Sequence, residues 1–402
     1  MNGARGAPEM KIVSVEIIDV EMQEKIIIPW HPVLVRVTTD EGITGVGEVA
    51  LAYGVGHSAG AAATKEVAER FVIGANAWNR EALWEKIYRA SFWAQCGGPL
   101  ILPAMSAIDM ALWDIQGKAL GVPCYQLLGG KTNETLRCYA SQIQFGWSEK
   151  YEHLYKAQEY FDVTKQVMEL GYTCVKVDPL LMDREGKRHP SHTKYFSYEQ
   201  IEMFRERMAA IREAMGPSGE IILEVHSATT IPSALQLAEA LEEYGIYYYE
   251  EPVAYHDSKL QDIVSQRSTL RMAAGERIFG RSGMRAYMED RSIEVLQPDI
   301  GLVGGLTEAK KMCDYAYAYD VLVQAHVCGS PVATAAALHL ETAIPNFLIH
   351  EHHSHALKHY NIELCDIDLQ PVNGYFTVPE GPGLGIHLND AVIKRSPRVV
   401  VS

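Results

Sequence analysis

The chain has 402 residues, 48% of them hydrophobic and 22% charged, and a formal net charge of −15. That is ordinary globular composition, long enough for one large domain and a smaller one. It is too acidic for a nucleic-acid groove or an anionic membrane surface to be its partner. No apolar run reaches the length of a transmembrane helix, and seven scattered cysteines without a CxxC pair fit a reducing cytoplasm. Residues 1–10 lack the apolar core of a signal peptide and read as a disordered leader. Lys11–Glu21, Val33–Thr39 and Ile43–Val49 read as strands, the last two joined by the tight turn Asp40-Glu41-Gly42. Helices follow over Ala59–Ile73, Arg80–Phe92 and Ile101–Leu120, the last stopped by Gly121 and Pro123. Together these form a small mixed domain, expected over 11–130.

From Leu136 the pattern becomes a steady alternation of short apolar strand and amphipathic helix. The strands fall at Leu136–Ser141, Tyr172–Asp178, Glu220–His226, Ile246–Glu250, Arg271–Glu276, Ile293–Pro298, Val321–His326 and Phe347–Glu351. Eight such units argue for an α/β barrel of the TIM type over 131–370. An open doubly wound sheet is the alternative, disfavoured because no GxGxxG follows the first strand. The tail, Pro371–Ser402, holds the turn Gly381-Pro382-Gly383 and no further repeat. It is expected to return and pack on the N-terminal domain.

In a barrel of this kind the βα loops converge at the carboxyl ends of the strands. Six strands end on or beside ionisable residues: Glu224 with His226, Glu250, Glu276, Asp299, His326 and Glu351. A spacing of 26 residues separates Glu224 from Glu250, and again Glu250 from Glu276. Three carboxylates at one height would repel one another unless some took up protons or a cation intervened. Hard oxygens without thiolates favour Mg²⁺. Asp299 and His326 lie on adjacent strands, so the carboxylate either orients the imidazole as a general base or only staples two loops. His226, two residues after Glu224, should point to the same side of its strand. It could be a second acid/base or a further contact beside the metal. Glu351 could donate to an oxyanion if protonated, or be an ordinary end-of-strand acid. Jointly they suit a reaction in which a metal-bound carboxylate substrate loses its α-proton to His326, an enediolate is stabilised, and His226 protonates a departing β-hydroxyl.

On these residues the chain resembles the enolase superfamily, in its mandelate racemase-like subgroup and especially the galactonate and gluconate dehydratases. The carriers are Ser106–Ile115 with Gly117-Lys118-Ala119-Leu120-Gly121, Glu250-Glu251-Pro252-Val253, Gly275-Glu276-Arg277, Leu296-Gln297-Pro298-Asp299, and His326 with Glu351. The resemblance implies a modified (β/α)₇β barrel with an α+β capping domain built from both chain ends. It implies one Mg²⁺ per subunit on Glu224, Glu250 and Glu276, the dyad Asp299–His326 as base, Glu351 bonded to the substrate carboxylate, and His226 as acid. It also implies an anionic sugar acid as substrate and a homo-oligomer, dimer or octamer.

Two departures stand out. The family's first ligand is usually Asp, where this chain has the longer Glu224. The racemases carry Lys-x-Lys at the second strand, where this chain has Lys176-Val177-Asp178, so a second lysine base is missing and one-sided proton abstraction is favoured. Lys176 and Asp178 remain candidates for substrate contact, as do Trp30, His31, Tyr53 and His57 on turns where the family keeps specificity loops. The long segment 181–200, with Arg184, Lys187, Arg188, His189, His192 and Lys194, reads either as a lid over an anionic substrate or as a solvated loop. The leading expectation is dehydration of a galactonate- or gluconate-type aldonate to a 2-keto-3-deoxy acid. An epimerase or lactone cycloisomerase on the same scaffold, or a catalytically idle relative, is the alternative.

Overall fold

The structure, a computed structural model, describes residues 9–22, 30–188 and 193–402. The chain opens with an antiparallel sheet of β1 (Ile12–Asp19), β2 (Val33–Thr39) and β3 (Thr44–Val49). Against it pack α1 (His57–Val67), α2 (Arg80–Ala90) and α3 (Leu102–Leu120), followed by the single turn α4 (Cys124–Leu127). Helix α3 buries nearly its whole length. It lies so close to β3 that a Cβ on Gly45 or Gly47 would meet the α3 carbonyls of Ala111 and Ala107 at 2.0 and 1.9 Å. Of the expected leader, residues 1–8 lie outside the described residues. Met10, however, is fully buried and its carbonyl accepts from Ala77 N, so the ordered sheet reaches it.

The repeat region is β4 (Leu136–Ser141), α5 (Ala157–Glu169), β5 (Cys174–Val177), α6 (Tyr198–Met215), β6 (Glu220–Glu224), α7 (Ile231–Leu241) and β7 (Ile246–Glu250), then α8 (Ser258–Arg267), β8 (Met272–Ala274) and α9 (Gly280–Glu289). It continues with β9 (Val295–Leu296), α10 (Ile300–Val303), α11 (Gly305–Tyr317), β10 (Leu322–Val323), α12 (Pro331–Ala343) and β11 (His350–His353). Strands β4 to β10 pair in order, all parallel. The last unit closes the ring: β11 pairs with β4, and Phe347 bridges Val323 of β10. Seven strands are followed by long helices and the eighth is not, so the architecture is a modified (β/α)₇β barrel rather than an open sheet. After α13 (His359–Ile362) the tail runs back along the barrel, where β12 (Tyr375–Phe376) pairs with β4. It then crosses α3 at Gly383, whose amide neighbour Leu384 donates to Asp114, and after α14 (Asp390–Arg395) it adds β13 (Arg398–Val401) to the edge of β1. Among the described residues no helix is long and apolar enough to cross a membrane.

One residue from nearly every strand fills the barrel interior at a single level: Tyr139, Cys174, Ile222, Tyr248, Ala273, Val295 and Ile349. Side chains alternate along a strand, so the next inward position lies two residues on. That layer holds Ser141, Lys176, Glu224, Glu250, Gly275, Gln297 and Glu351, and here the interior turns from apolar to charged.

Two buried histidines tie this fold to pH. Burial pushes His339 down to about 4 and His352 down to about 3; His339 Nδ1 accepts from Tyr125 N, and His352 Nδ1 shares a hydrogen bond with Tyr172 Oη. Both are neutral in the folded protein and titrate at their ordinary value when unfolded. Their contribution is therefore complete above about pH 6.5 and lost as the pH falls toward the folded values. Between pH 6 and 5 the pair should remove about 2 kcal/mol of stability, measured by guanidinium unfolding. The same loss between pH 6 and 5 in the double variant His339→Gln, His352→Gln would contradict the neutral assignment.

Candidate active site

Glu224 and Glu250 end adjacent strands and are register partners. Glu276 is not on the same rung, because Glu250 pairs with Ala273, leaving Glu276 three residues beyond. The even spacing of 26 thus overstates the symmetry. Gly275 allows the extension: a Cβ there would sit 2.4 Å from Gln297 N, so the chain passes hard against β9 before Glu276 turns inward. One oxygen from each of the three carboxylates lies within 4.8 Å of the others.

Lys176 enters this cluster from β5. Its Nζ donates to Glu250 Oε1 and Glu351 Oε1, both at 2.8 Å, and stands 3.6 Å from Glu224 Oε2. Burial works against the ammonium, but Glu250, Glu351 and Glu224 outweigh it and hold it charged. One lysine does not balance the acids. Burial, then repulsion from Glu250, raises Glu224 far above the usual carboxylate range. Glu224 Oε2 and Glu250 Oε2 are buried without a hydrogen-bond donor. Two orphaned oxygens in an all-carboxylate set are what a hard divalent cation satisfies, so the residues fit one. Glu224 meets its extra length by folding back, with Oε1 accepting from His226 N at 2.7 Å.

His326 lies past the end of β10, with Nδ1 2.8 Å from Asp299 Oδ2 and Nε2 3.3 Å from Glu276 Oε2. Burial opposes protonation, but Glu276, Glu351 and Asp299 prevail and push the ring up to about 10. Asp299 also caps α10, accepting from Gly301 N at 2.8 Å. Glu351 accepts from Ser141 Oγ at 2.6 Å, from Lys176 and from Val327 N at 2.9 Å. Burial would raise it, yet Lys176 and His326 hold it well below the ordinary range. It is an acceptor here, and the protonated donor role allowed from sequence does not describe it.

His226 is beside Glu224 for a different reason than strand alternation. β6 ends at Glu224, and His226 and Ser227 take left-handed backbone with φ of 46° and 57°, as Glu251 does after β7 with 42°. Such conformations cost about 1–3 kcal/mol each and gather at functional sites. The turn sets His226 Nδ1 3.4 Å from Asp178 Oδ2 and 3.8 Å from Glu224 Oε1. Desolvation in the pocket would lower the ring, although 44% of the side chain is exposed, but Asp178 and Glu276 raise it above its ordinary value. On its other side Gln142 Nε2 lies 3.5 Å from His226 Nε2, and the amide of Gln142 is held by Gln144 Nε2. Sequence reading passed over both glutamines. Their signal was the neutral polar run Ser141-Gln142 at the end of the first barrel strand.

The outlying candidates divide. Trp30 is buried, stacks on His355 with centroids 5.3 Å apart, and donates from Nε1 to Cys328 O at 3.1 Å, which places it beside the His326 turn. His31 and His57 turn to each other, stacked at 4.2 Å, and His31 Nε2 lies 2.7 Å from Asp19 Oδ1. Among the described residues no contact joins either ring to the strand-end acids above. Tyr53 is half exposed and pairs with Trp30 through backbone only. In the 181–200 segment Arg184 is spent on a two-pronged pair with Glu206 of α6, at 2.7 and 3.0 Å, and Lys187 is exposed. His189 and His192 lie outside the described residues.

This barrel and its cap have counterparts. Residues 160–392 match the family model "Enolase C-terminal domain-like", and residues 19–129 match "Mandelate racemase / muconate lactonizing enzyme, N-terminal domain". The chain belongs to the enolase superfamily. It is 33% identical over 365 residues to the D-xylonate dehydratase of Haloferax volcanii, covering 90% of this chain and 84% of that one. It is 32% identical over 385 residues to the D-galactonate dehydratase of Pectobacterium atrosepticum, covering 92% of each. A crystal structure of an enolase superfamily member from Salmonella Typhimurium superposes with a TM-score of 0.94 at 46% identity, over 98% of this chain and all of the other. The two named relatives are hydro-lyases acting on sugar acids.

Proposed function

We propose that this enolase superfamily member dehydrates a sugar acid, an aldonate of the galactonate or gluconate type, to a 2-keto-3-deoxy acid with Mg²⁺ held by Glu224, Glu250 and Glu276. The observation that carries the reading is a pair of imidazoles flanking one carboxylate cluster, each with its own carboxylate partner: His326 with Asp299 beside Glu276, and His226 with Asp178 beside Glu224. A divalent cation there would neutralise the three acids, free His326 Nε2 from Glu276, and offset charge gathering on the substrate carboxylate as the α-proton leaves. His326 then takes the α-proton at Nε2, while Asp299 fixes the tautomer at Nδ1 and stabilises the imidazolium. The Cα–H electrons first enter the substrate carboxylate as an enediolate and then return to form the Cα–Cβ double bond as the Cβ–O bond breaks, with His226 delivering the proton with which the hydroxyl leaves as water. The enol so formed tautomerises to the keto acid. Lys176 keeps Glu351 and Glu250 in place throughout. Asp178 occupies the position where the racemases place a second lysine base, and it is engaged with Leu180 N and His226, which favours elimination over two-base epimerisation.

Incubating the protein with Mg²⁺ and a panel of sugar acids, and assaying 2-keto acid, should yield product from at least one aldonate. A diastereomer with no keto acid would replace the reading with epimerisation. The cation site has a separate readout. Mg²⁺ at 100 times its dissociation constant should add about 2.7 kcal/mol to unfolding stability, and Glu250→Gln should abolish that increment. A midpoint indifferent to Mg²⁺ in the unsubstituted protein would remove the cation from the cluster.

A further inference from the structure

We propose that Glu48, on the N-terminal sheet, is a positioning residue for the Asp299–His326 pair, locking the 326–330 turn to the cap. His326 lies three residues past β10, and the backbone ladder gives its turn little support beyond His326 N bonding Pro298 O at 3.2 Å. Within the barrel Val327 N bonds Glu351 Oε2 at 2.9 Å and Asn361 Nδ2 bonds Gly329 O at 3.1 Å; the rest of the support comes from the other domain. The Glu48 carboxylate, wholly buried, accepts from Ser330 N at 3.0 Å on both oxygens, from Ser330 Oγ at 2.6 Å and from Ala333 N at 3.2 Å. It therefore occupies the N-terminus of α12, where a negative charge is favoured by the helix dipole. Between it and His326, Trp30 Nε1 holds Cys328 O at 3.1 Å. Gly329 fits only without a side chain, since a Cβ would lie 2.8 Å from Glu48 Oε1 and 2.6 Å from Ala333 Cβ.

The same strand end reaches the partner of the imidazole. Ala50 N bonds Gly301 O at 3.4 Å, and a Cβ on Gly301 would sit 2.3 Å from Ala50 Cβ, two residues beyond Asp299. Glu48 and Ala50 thus bracket both members of the pair. Burial pushes Glu48 up to about 7 despite its donors. That is a poor arrangement for a residue whose task is packing alone, and an understandable one for a carboxylate that must hold three amide or hydroxyl hydrogens in one geometry.

The inference rests on reading His326 as the base, and its test has an arm that does not. In one-dimensional proton NMR of the whole protein, the hydrogen between His326 Nδ1 and Asp299 should resonate far downfield and vanish in His326→Asn. The buried pair His350–Glu341, 2.6 Å apart, supplies a second such signal as an internal reference. Glu48→Ala should shift or broaden the His326 signal and leave the His350 signal in place. Exchange of the α-proton of D-galactonate, or of the sugar acid found by screening, should fall about 100-fold in turnover, as a displacement of about 1 Å produces, with little change in KM. Glu48→Gln, which keeps one acceptor, should fall between Glu48→Ala and the unsubstituted protein. An unmoved His326 signal with exchange within about twofold of normal in Glu48→Ala would overturn the assignment. Should Glu48→Ala lose the reference signal and with it the fold, Glu48→Gln keeps the side-chain volume and one acceptor, and an unmoved His326 signal with normal exchange there overturns it equally. If the unsubstituted protein exchanges no sugar-acid proton, the proposed reaction fails while the NMR comparison still decides Glu48.

Discussion

His326→Asn should abolish keto-acid formation and, with it, exchange of the substrate α-proton in deuterium oxide. The loss expected from removing a general base is about 10²–10⁴-fold. Asparagine has no basic nitrogen, but it preserves the polar contact toward Asp299, so the neighbouring backbone has little reason to move. Substrate affinity should be largely intact, because the carboxylate cluster and Lys176 are untouched. Asp299→Asn should be severe as well. The 2.8 Å contact that fixes the proton on Nδ1 would become a neutral amide contact, and the charge that supports the imidazolium would be gone. Near-normal exchange in His326→Asn would show that another residue takes the proton, and would remove the base from this reading.

His226→Asn should separate the two halves of the reaction. Its target is departure of the β-hydroxyl, while abstraction belongs to His326, Asp299 and the cluster. Keto-acid formation should fall by about 10²–10⁴-fold, yet deuterium should still enter the α-position, because the abstraction machinery remains. The variant should thus wash deuterium into recovered substrate faster than it makes product. Dehydration at full rate in His226→Asn would withdraw the leaving-group acid from His226. Loss of exchange and product together would make it a partner in abstraction instead.

The two histidines illustrate how differently the sequence informed the site. His326 and Asp299 were recognisable because each follows an apolar strand at the same phase of a βα repeat, and a parallel barrel brings adjacent strand ends together. His226 was recognisable as a candidate, but for the wrong geometric reason, since its strand stops at Glu224 and a left-handed turn places the ring. The rung assigned to Glu276 was likewise wrong, because equal spacing in sequence does not measure loop lengths, and β8 ends two residues earlier, at Ala274. Lys176 looked like a residual half of a missing lysine pair. In the structure it is the only cation buried among Glu224, Glu250 and Glu351 in the described residues.

The sequence by itself determined the alternation of strand and helix, the number of units, the small mixed domain ahead of them and the set of acids and imidazoles at the strand ends. These follow from local rules: a period of two in a strand, a period near 3.6 in a helix, and glycine or proline where the chain turns. Tertiary structure alone decided the height of Glu276, the turn that aims His226, the glutamines of the first strand end, and the separation of His31 and His57 from the acids. It also decided that Glu48, 282 residues before Ser330, would reach across two domains to the His326 turn. Each of these depends on where two distant backbones meet, and a contact of that kind leaves no periodic trace in either segment.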